Sequence, residues 1–314
     1  MNDLLSRYAE CVFWKGRYVE RAENVARILD VHETFTRDRT GSVNWSSVVT
    51  IHADDERFYA THPQASAKAV VDFYLLDPEN PTSIFSSIRA ARDNARTLRP
   101  LISTEMWTHI NVFYNTMKSM TPADVSMTGL SQTCSIIKEN CQTHFGITEG
   151  TFYRDASWYF YLMGKYLERA DQTSRILDIK YNILTPREPA DASAIDASQW
   201  NALLRSVAGY HAFRRTHPRG LSPAAVAQFL LFDSSFPRSV TMCFRQVDDM
   251  VHRLRARFGL RNGAVALERL DEVRAAMDQH TIDDVLREGL HEFSDWIQRQ
   301  ALDLTADIQR DFFG

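Results

Sequence analysis

Arg17, Glu20, Asn24 and Arg27 recur every three or four positions in a stretch whose other residues are mostly apolar. On a helix, at 100° per residue, they form one stripe within roughly 80° of arc. The stripe returns as Lys165, Glu168, Gln172 and Arg175. Glu20 and Glu168 are the candidate acid or base in a proton-transfer step. Arg21 and Arg169 follow them directly and are candidates to neutralise a carboxylate or phosphate. Arg17, Arg27, Lys165 and Arg175 are candidates to bind substrate. Phe13, Gly16 and Val31 border the first stripe, and a helix apolar nearly all round is buried, so these charges are partly desolvated. Desolvated charges mark functional sites, but they also lock scaffolds. Glu23 with Arg27 and Asp171 with Arg175 have i,i+4 spacing, and Glu20 can meet Arg17 or Asn24 on its own helix. Ligand site and structural salt-bridge network both remain open at this level.

A second set lies further along: Arg89, Asp93 and Arg96 share a face, and Arg245, Asp249 and His252 take the same spacing later. Arg89, Arg96 and Arg245 suit two-pronged recognition of an anion, although an intrahelical Arg-Asp ladder on a solvated face is the better reading, since such pairs are common and weak. The segment Phe145 to Thr151 places Gly146 and Gly150 ahead of a helix but fits no phosphate-loop pattern, so it reads as a connector. Metal chemistry is not expected. A two-metal carboxylate bundle needs Glu-x-x-His on two helices, and Glu288-x-x-His291 stands without a second copy. His62 and His217 read as turn residues before Pro63 and Pro218. Cys11, Cys134, Cys141 and Cys243 form no Cys-x-x-Cys pair and read as reduced, mostly buried thiols. Neither a Gly-x-Ser-x-Gly elbow nor a cofactor motif is present.

The elements that must position these residues are helices. The chain has 314 residues, 44% hydrophobic and 24% charged, with 12 Gly and 10 Pro, too few for a turn-rich β protein. Its formal charge of −4 supplies no basic field for nucleic acid. The opening residues lack a signal-peptide pattern and no apolar run approaches about 18 residues, so a cytoplasmic protein without a membrane span is expected. Residues 3 to 36 keep a helical period, and so does about Thr151 to Leu184. Trp45 to about Tyr59 reads as a helix stopped by Thr61-His62-Pro63, and Gln64 to Leu76 as the next. Ser83 can cap a long helix to Thr116, kinked or interrupted at Pro100. Asp124 to His144, about Gly263 to Gln279 and Ile282 to Phe313 complete the set.

An internal repeat organises them. Gly16 to Val31 recurs as Gly164 to Ile179 at offset 148, Thr61-His62-Pro63 as Thr216-His217-Pro218 at offset 155, and Phe73 to Asp77 as Phe229 to Asp233 at offset 156. The matches stay collinear, with the small insertions placed mostly in the polar linker Thr185 to Ala197. The expected architecture is an all-α, internally duplicated bundle. Its units, residues 1–148 and 149–314, would pack about a pseudo-twofold axis into one body.

The motif set Trp14-x-Gly16-Arg17-Tyr18-x-Glu20-Arg21-Ala22-Glu23-Asn24, Asn80-Pro81-x-Ser83-Ile84, Ser103-Thr104-Glu105-Met106-Trp107 and Glu149-Gly150-Thr151 leading to Leu167-Glu168-Arg169-Ala170 resembles the alpha-E family of helical bacterial proteins with a Glu-Arg motif. Asp93 stands where that pattern leads us to expect Glu. The resemblance implies a neighbour: such proteins are encoded beside, or fused to, a circularly permuted ATP-grasp protein and a transglutaminase-like protease, in systems suspected of making and trimming peptide or amide bonds. It implies no catalytic residue. Three roles follow: an accessory component holding the ATP-grasp partner or its peptide-like or amino-acid substrate; an enzyme working through paired Glu and Arg; or a structural oligomer subunit.

Overall fold

The computed structural model describes residues 6–38, 44–121, 123–184, 193–218 and 220–314, and every regular element among them is a helix. In chain order these are α1 (Ser6–Asp38), α2 (Ser46–Ile51), α3 (Asp55–Tyr59), α4 (Ala67–Leu75), α5 (Ile84–Thr97), α6 (Thr104–Ser119), α7 (Leu130–Thr151), α8 (Ala156–Leu184), α9 (Ser193–Ser206), α10 (Tyr210–Thr216), α11 (Pro223–Phe232), α12 (Val240–Phe258), α13 (Ala264–Gln279), α14 (Ile282–Glu288) and α15 (Leu290–Phe312). None of the described helices is long and apolar enough to cross a membrane. Met1 to Leu5 and residues 185–192 of the expected linker lie outside the described residues, and from Ser193 the chain is helical.

The two stripe-bearing helices form the centre. α1 packs along α8, with α5, α7 and α9 also against α1, and with α12, α15 and α2 also against α8. Val12, Phe13, Val25 and Leu29 of α1 and Met163, Leu167 and Leu177 of α8 are all buried, each such side chain stabilising the fold by about 1.5–3 kcal/mol. α1 and α8 meet where neither has a side chain. A Cβ on Gly16 would strike the Tyr161 carbonyl oxygen, and one on Gly164 would strike the Phe13 carbonyl oxygen. Backbone cannot swing aside, so Gly16→Ala and Gly164→Ala should each destabilise by about 1–3 kcal/mol, as overpacked cores do. Urea unfolding should show a lowered midpoint with unchanged slope; an unmoved midpoint would mean that the helices do not meet at these glycines.

Several boundaries depart from the sequence reading, each for a physical reason. Trp45 to Tyr59 divides into α2 and α3 at Ala53, whose φ is 54°, and Ala208, with φ 56°, separates α9 from α10 in the same way. Each break frees carbonyls that a continuing helix would have used. Arg175 Nη1 donates to the Ile51 carbonyl and Arg27 Nη1 to the Ser206 carbonyl, both at 3.0 Å. Ser83 caps α5, accepting from the Ser86 amide at 3.0 Å, but the helix stops at Thr97 ahead of Pro100 and α6 restarts under a Ser103 cap. Phe145 to Thr151 is not a connector. α7 runs through it to Thr151, because burying His144 and Thr148 outweighs the loss of about 1 kcal/mol per helical glycine. Ile282 to Phe313 divides at Gly289, where φ is 120°, into α14 and α15.

Candidate functional site

Glu20 does not pair with Arg17. α8 grips its carboxylate instead: Arg169 Nε donates to Oε1 and Nη2 to Oε2, both at 2.8 Å, a two-pronged pair. Arg238, in the turn before α12, donates from Nη1 to Oε1 at 2.9 Å, and Asn24 Nδ2 reaches the same oxygen at 3.2 Å. Burial alone would push the Glu20 carboxyl up, but Arg169 and Arg238 outweigh it and hold the group well below the usual carboxylate range. A carboxylate held ionised and saturated with donors is poorly suited to acid–base work, which needs a pKa near the working pH.

Glu23 joins the same network. Its Oε1 accepts from Arg27 Nε at 3.0 Å, Arg27 Nη2 at 2.6 Å and Arg238 Nη2 at 2.7 Å, while Oε2 accepts from none of the described residues. The intrahelical Glu23 to Arg27 pair therefore forms as the spacing implies. These side chains wall a cavity of about 270 Å³ at the α1–α8 crossing. Lys165 enters it from α8. Its Nζ lies 2.9 Å from the centre of the Phe145 ring and makes no hydrogen bond or ion pair among the described residues. Burial first, and then Arg169, lowers its ammonium to about 7. Burial also pushes the Arg238 guanidinium down, with Arg169 adding to it, the mark of crowded cations. Cys141 and Tyr161 line the opposite chemistry: burial raises both, so Cys141 presents a thiol and no thiolate nucleophile.

Glu168 occupies a second cluster. Arg17 Nε donates to Oε2 at 2.7 Å, and Arg21 donates from Nε to Oε1 at 2.6 Å and from Nη2 to Oε2 at 2.9 Å. Arg17 Nη1 also donates to Thr305 Oγ1 of α15 at 2.7 Å. Burial would raise the Glu168 carboxyl, yet Arg21 and Arg17 bring it to about 2. Arg175 pairs with Asp171 at 2.9 Å. Thus Glu20, Arg27, Lys165 and Arg169 share one cluster, and Arg17, Arg21 and Glu168 the other.

Arg89, Arg96 and Arg245 join neither. Arg89 Nη2 donates to the Pro78 carbonyl at 2.7 Å, exposed Arg96 lies 3.5 Å from Asp93, and Arg245 is exposed on α12. The second expected ladder does not form, because Asp249 pairs one turn on with Arg253 at 2.7 Å and His252 faces Asp248 at 3.4 Å. Among the described residues, Asp178, His291 and Asp295 could together hold a metal ion, but His291 Nδ1 lies 3.0 Å from both Asp178 oxygens and is accounted for as an ion pair.

Sequence reasoning missed Arg238 and Lys15. The signal for Arg238 lay in Pro237-x-Ser239, which repeats Pro81-x-Ser83 at the same offset of 156 as Phe73 to Asp77 but has Arg238 in place of Thr82. Lys15 was readable as a lysine on a helix buried all round. Only 1% exposed, it places Nζ 2.7 Å from His144 Nε2, and His144 Nδ1 lies 3.3 Å from His109 Nδ1. Burial brings this amine to about 7.

The family Alpha-E, described as a predicted alpha-helical domain with a conserved ER motif, matches residues 4–313. The chain belongs to the Alpha-E family. In this Alpha-E protein the Glu-Arg dipeptides at Glu20-Arg21 and Glu168-Arg169 are the ones whose charges cross between α1 and α8. It is 27% identical over 256 residues to uncharacterised proteins of Mycobacterium bovis and Mycobacterium tuberculosis CDC 1551, and 26% identical to one of Mycobacterium tuberculosis H37Rv. The match covers 73% of the Alpha-E chain and spans 28% of the length of each relative. No solved structure matches it.

Proposed function

We propose that this Alpha-E protein is the binding component of an ATP-grasp-linked system that forms peptide or amide bonds. It holds a peptide-like or amino-acid ligand for the partner and leaves ATP chemistry to that partner. The observation that carries this reading is the cavity beside Glu20, where Lys165 Nζ and Glu23 Oε2 are open while Glu20 and Glu23 Oε1 already accept from Arg169 and Arg238. An open amine and an open carboxylate oxygen complement the carboxylate and ammonium of such a ligand. The match spans 28% of each mycobacterial relative, leaving room for the further domain that a fused ATP-grasp module would need. A transglutaminase-like protease would then act on the product.

The duplicated organisation belongs to the same proposal, with units 1–148 and 149–314 about a pseudo-twofold axis. Crossed contacts support it. Glu20 meets Arg169 as Glu168 meets Arg21, Arg27 meets the Ser206 carbonyl as Arg175 meets that of Ile51, and Gly16 faces Tyr161 as Gly164 faces Phe13. A twofold axis turns each contact into its counterpart.

Co-expression with the neighbouring ATP-grasp protein should give co-elution on size exclusion, and the lone chain should turn over no ATP. Vigorous ATP hydrolysis by the purified chain would contradict the proposal. Elution as a homo-oligomer indifferent to the ATP-grasp protein would favour the structural role instead.

A further inference from the structure

We infer that the cavity beside Glu20 binds an acidic amino acid, with one ammonium and two carboxylates, and that Lys165 is its carboxylate contact. The inference rests on the reading of this cavity as a binding site, but not on the ATP-grasp partnership. Charge selects the class. Lys165, Arg27, Arg169 and Arg238 line the cavity against Glu20 and Glu23, so a protonated Lys165 leaves two more positive charges than negative ones. A buried excess of that kind demands an anion. Lys165 is 5% exposed, and its ammonium faces the cavity with an aromatic ring as its near neighbour and no ion pair among the described residues. Glu23 Oε2 is the open acceptor that an ammonium would take, since Oε1 already accepts three hydrogen bonds. A neutral zwitterion would leave the charge excess in place, and a plain dicarboxylate would leave Glu23 Oε2 unmet. An acidic amino acid, with its net charge of −1, halves the excess and meets Glu23 Oε2 as well. A cavity of about 270 Å³ has room for a single amino acid. The Glu168 cluster differs: Arg17 and Arg21 saturate its carboxylate, and Arg17 is tied to Thr305. It serves as structure.

Binding should carry a proton signature. A carboxylate recruits the charged form of Lys165, whose free amine titrates near 7, so the complex takes up a proton above that pH. The groups facing it are Glu20, Glu23 and Arg27 from α1, Cys141 from α7, Tyr161 and Arg169 from α8, and Arg238 before α12. Of these, Glu20 is held ionised and Cys141 and Tyr161 are held protonated. Lys15, over the Tyr161 ring at 5.2 Å, titrates in the same range, so a variant must assign the proton.

The test is calorimetric titration of the full chain with L-glutamate, L-aspartate, L-glutamine, succinate and inorganic phosphate. We expect L-glutamate or L-aspartate to bind at least about tenfold more tightly than the other three, the order of one lost charged hydrogen bond. The affinity should fall about tenfold per pH unit above 7, with a heat that depends on the buffer's ionisation enthalpy. Lys165→Met replaces a buried amine that makes no hydrogen bond among the described residues with an apolar side chain of similar length, so it should stay folded; it should abolish both binding and proton uptake, whereas exposed Lys118→Met should change neither. Four results overturn the inference: no saturable binding of either acidic amino acid at millimolar concentration, succinate or L-glutamine binding equally well, phosphate binding best, or unchanged binding by Lys165→Met. Because the lone chain is titrated, failed co-elution with the ATP-grasp protein leaves this result standing, and the reverse also holds.

Discussion

Glu20→Gln and Glu168→Gln should each lower the melting temperature by on the order of 10 °C. Either change removes a buried negative charge and leaves two arginines facing an amide, Arg169 and Arg238 in one case and Arg17 and Arg21 in the other. Breaking one partner of a buried pair costs about 3–5 kcal/mol, because the other charge stays desolvated. In a chain of this size each kcal/mol is worth about 2–4 °C. Glu20 and Arg169 form one unit, so adding Arg169→Met to Glu20→Gln should cost much less than the sum of the single changes. Differential scanning calorimetry reads the three single variants and the double one. A melting temperature within experimental error of the parent for either Glu variant would show that these pairs do not fix α1 against α8.

Lys15→Met should do the opposite and stabilise the protein, by on the order of 3 kcal/mol at pH 6 to 7. The amine is buried against the neutral His144 ring and the Tyr161 ring, with no carboxylate paired to it among the described residues, and burial depresses it from 10.5 to about 7. The sign follows from proton counting. Below pH 7 both folded and unfolded chains hold the proton, and the cost of burying charge is fully present. Between 7 and 10.5 the unfolded chain holds a proton that the folded amine has shed, so stability climbs with pH. The advantage of methionine should therefore shrink by about 1.4 kcal/mol per pH unit above 7. Buried Cys134, Cys141 and Cys243, whose thiols burial raises, act in the other direction near pH 9, so the variant is compared with the parent between pH 6 and 8.5. A difference flat across that range would mean that Lys15 is charged in the fold throughout.

What the sequence determined is what one helix can determine. A period of 3.6 residues put Arg17, Glu20, Asn24 and Arg27 on one face and marked α1 and α8 as buried, and i,i+4 spacing set the Glu23 to Arg27 and Asp171 to Arg175 pairs. Ser83 was legible as a cap because its oxygen needs only an amide three residues on. The partner of Glu20 was not legible in this way. Periodicity says which face turns inward, and burial of apolar surface is non-directional, so neither says which helix will be waiting there. Only the packing of α1 on α8 brings Arg169 across 149 positions of sequence, and Arg238 comes from the turn before α12, a helix that itself packs on α8. The same limit explains Ala53, where carbonyls freed by a broken helix meet Arg175 of α8, and Phe145 to Thr151, where long-range burial of His144 and Thr148 overrides two glycines. Where a cavity opens beside the charges was also set in three dimensions: the two Glu clusters share their residue types, and it is the packing around Lys165 and Glu23 that leaves space beside Glu20.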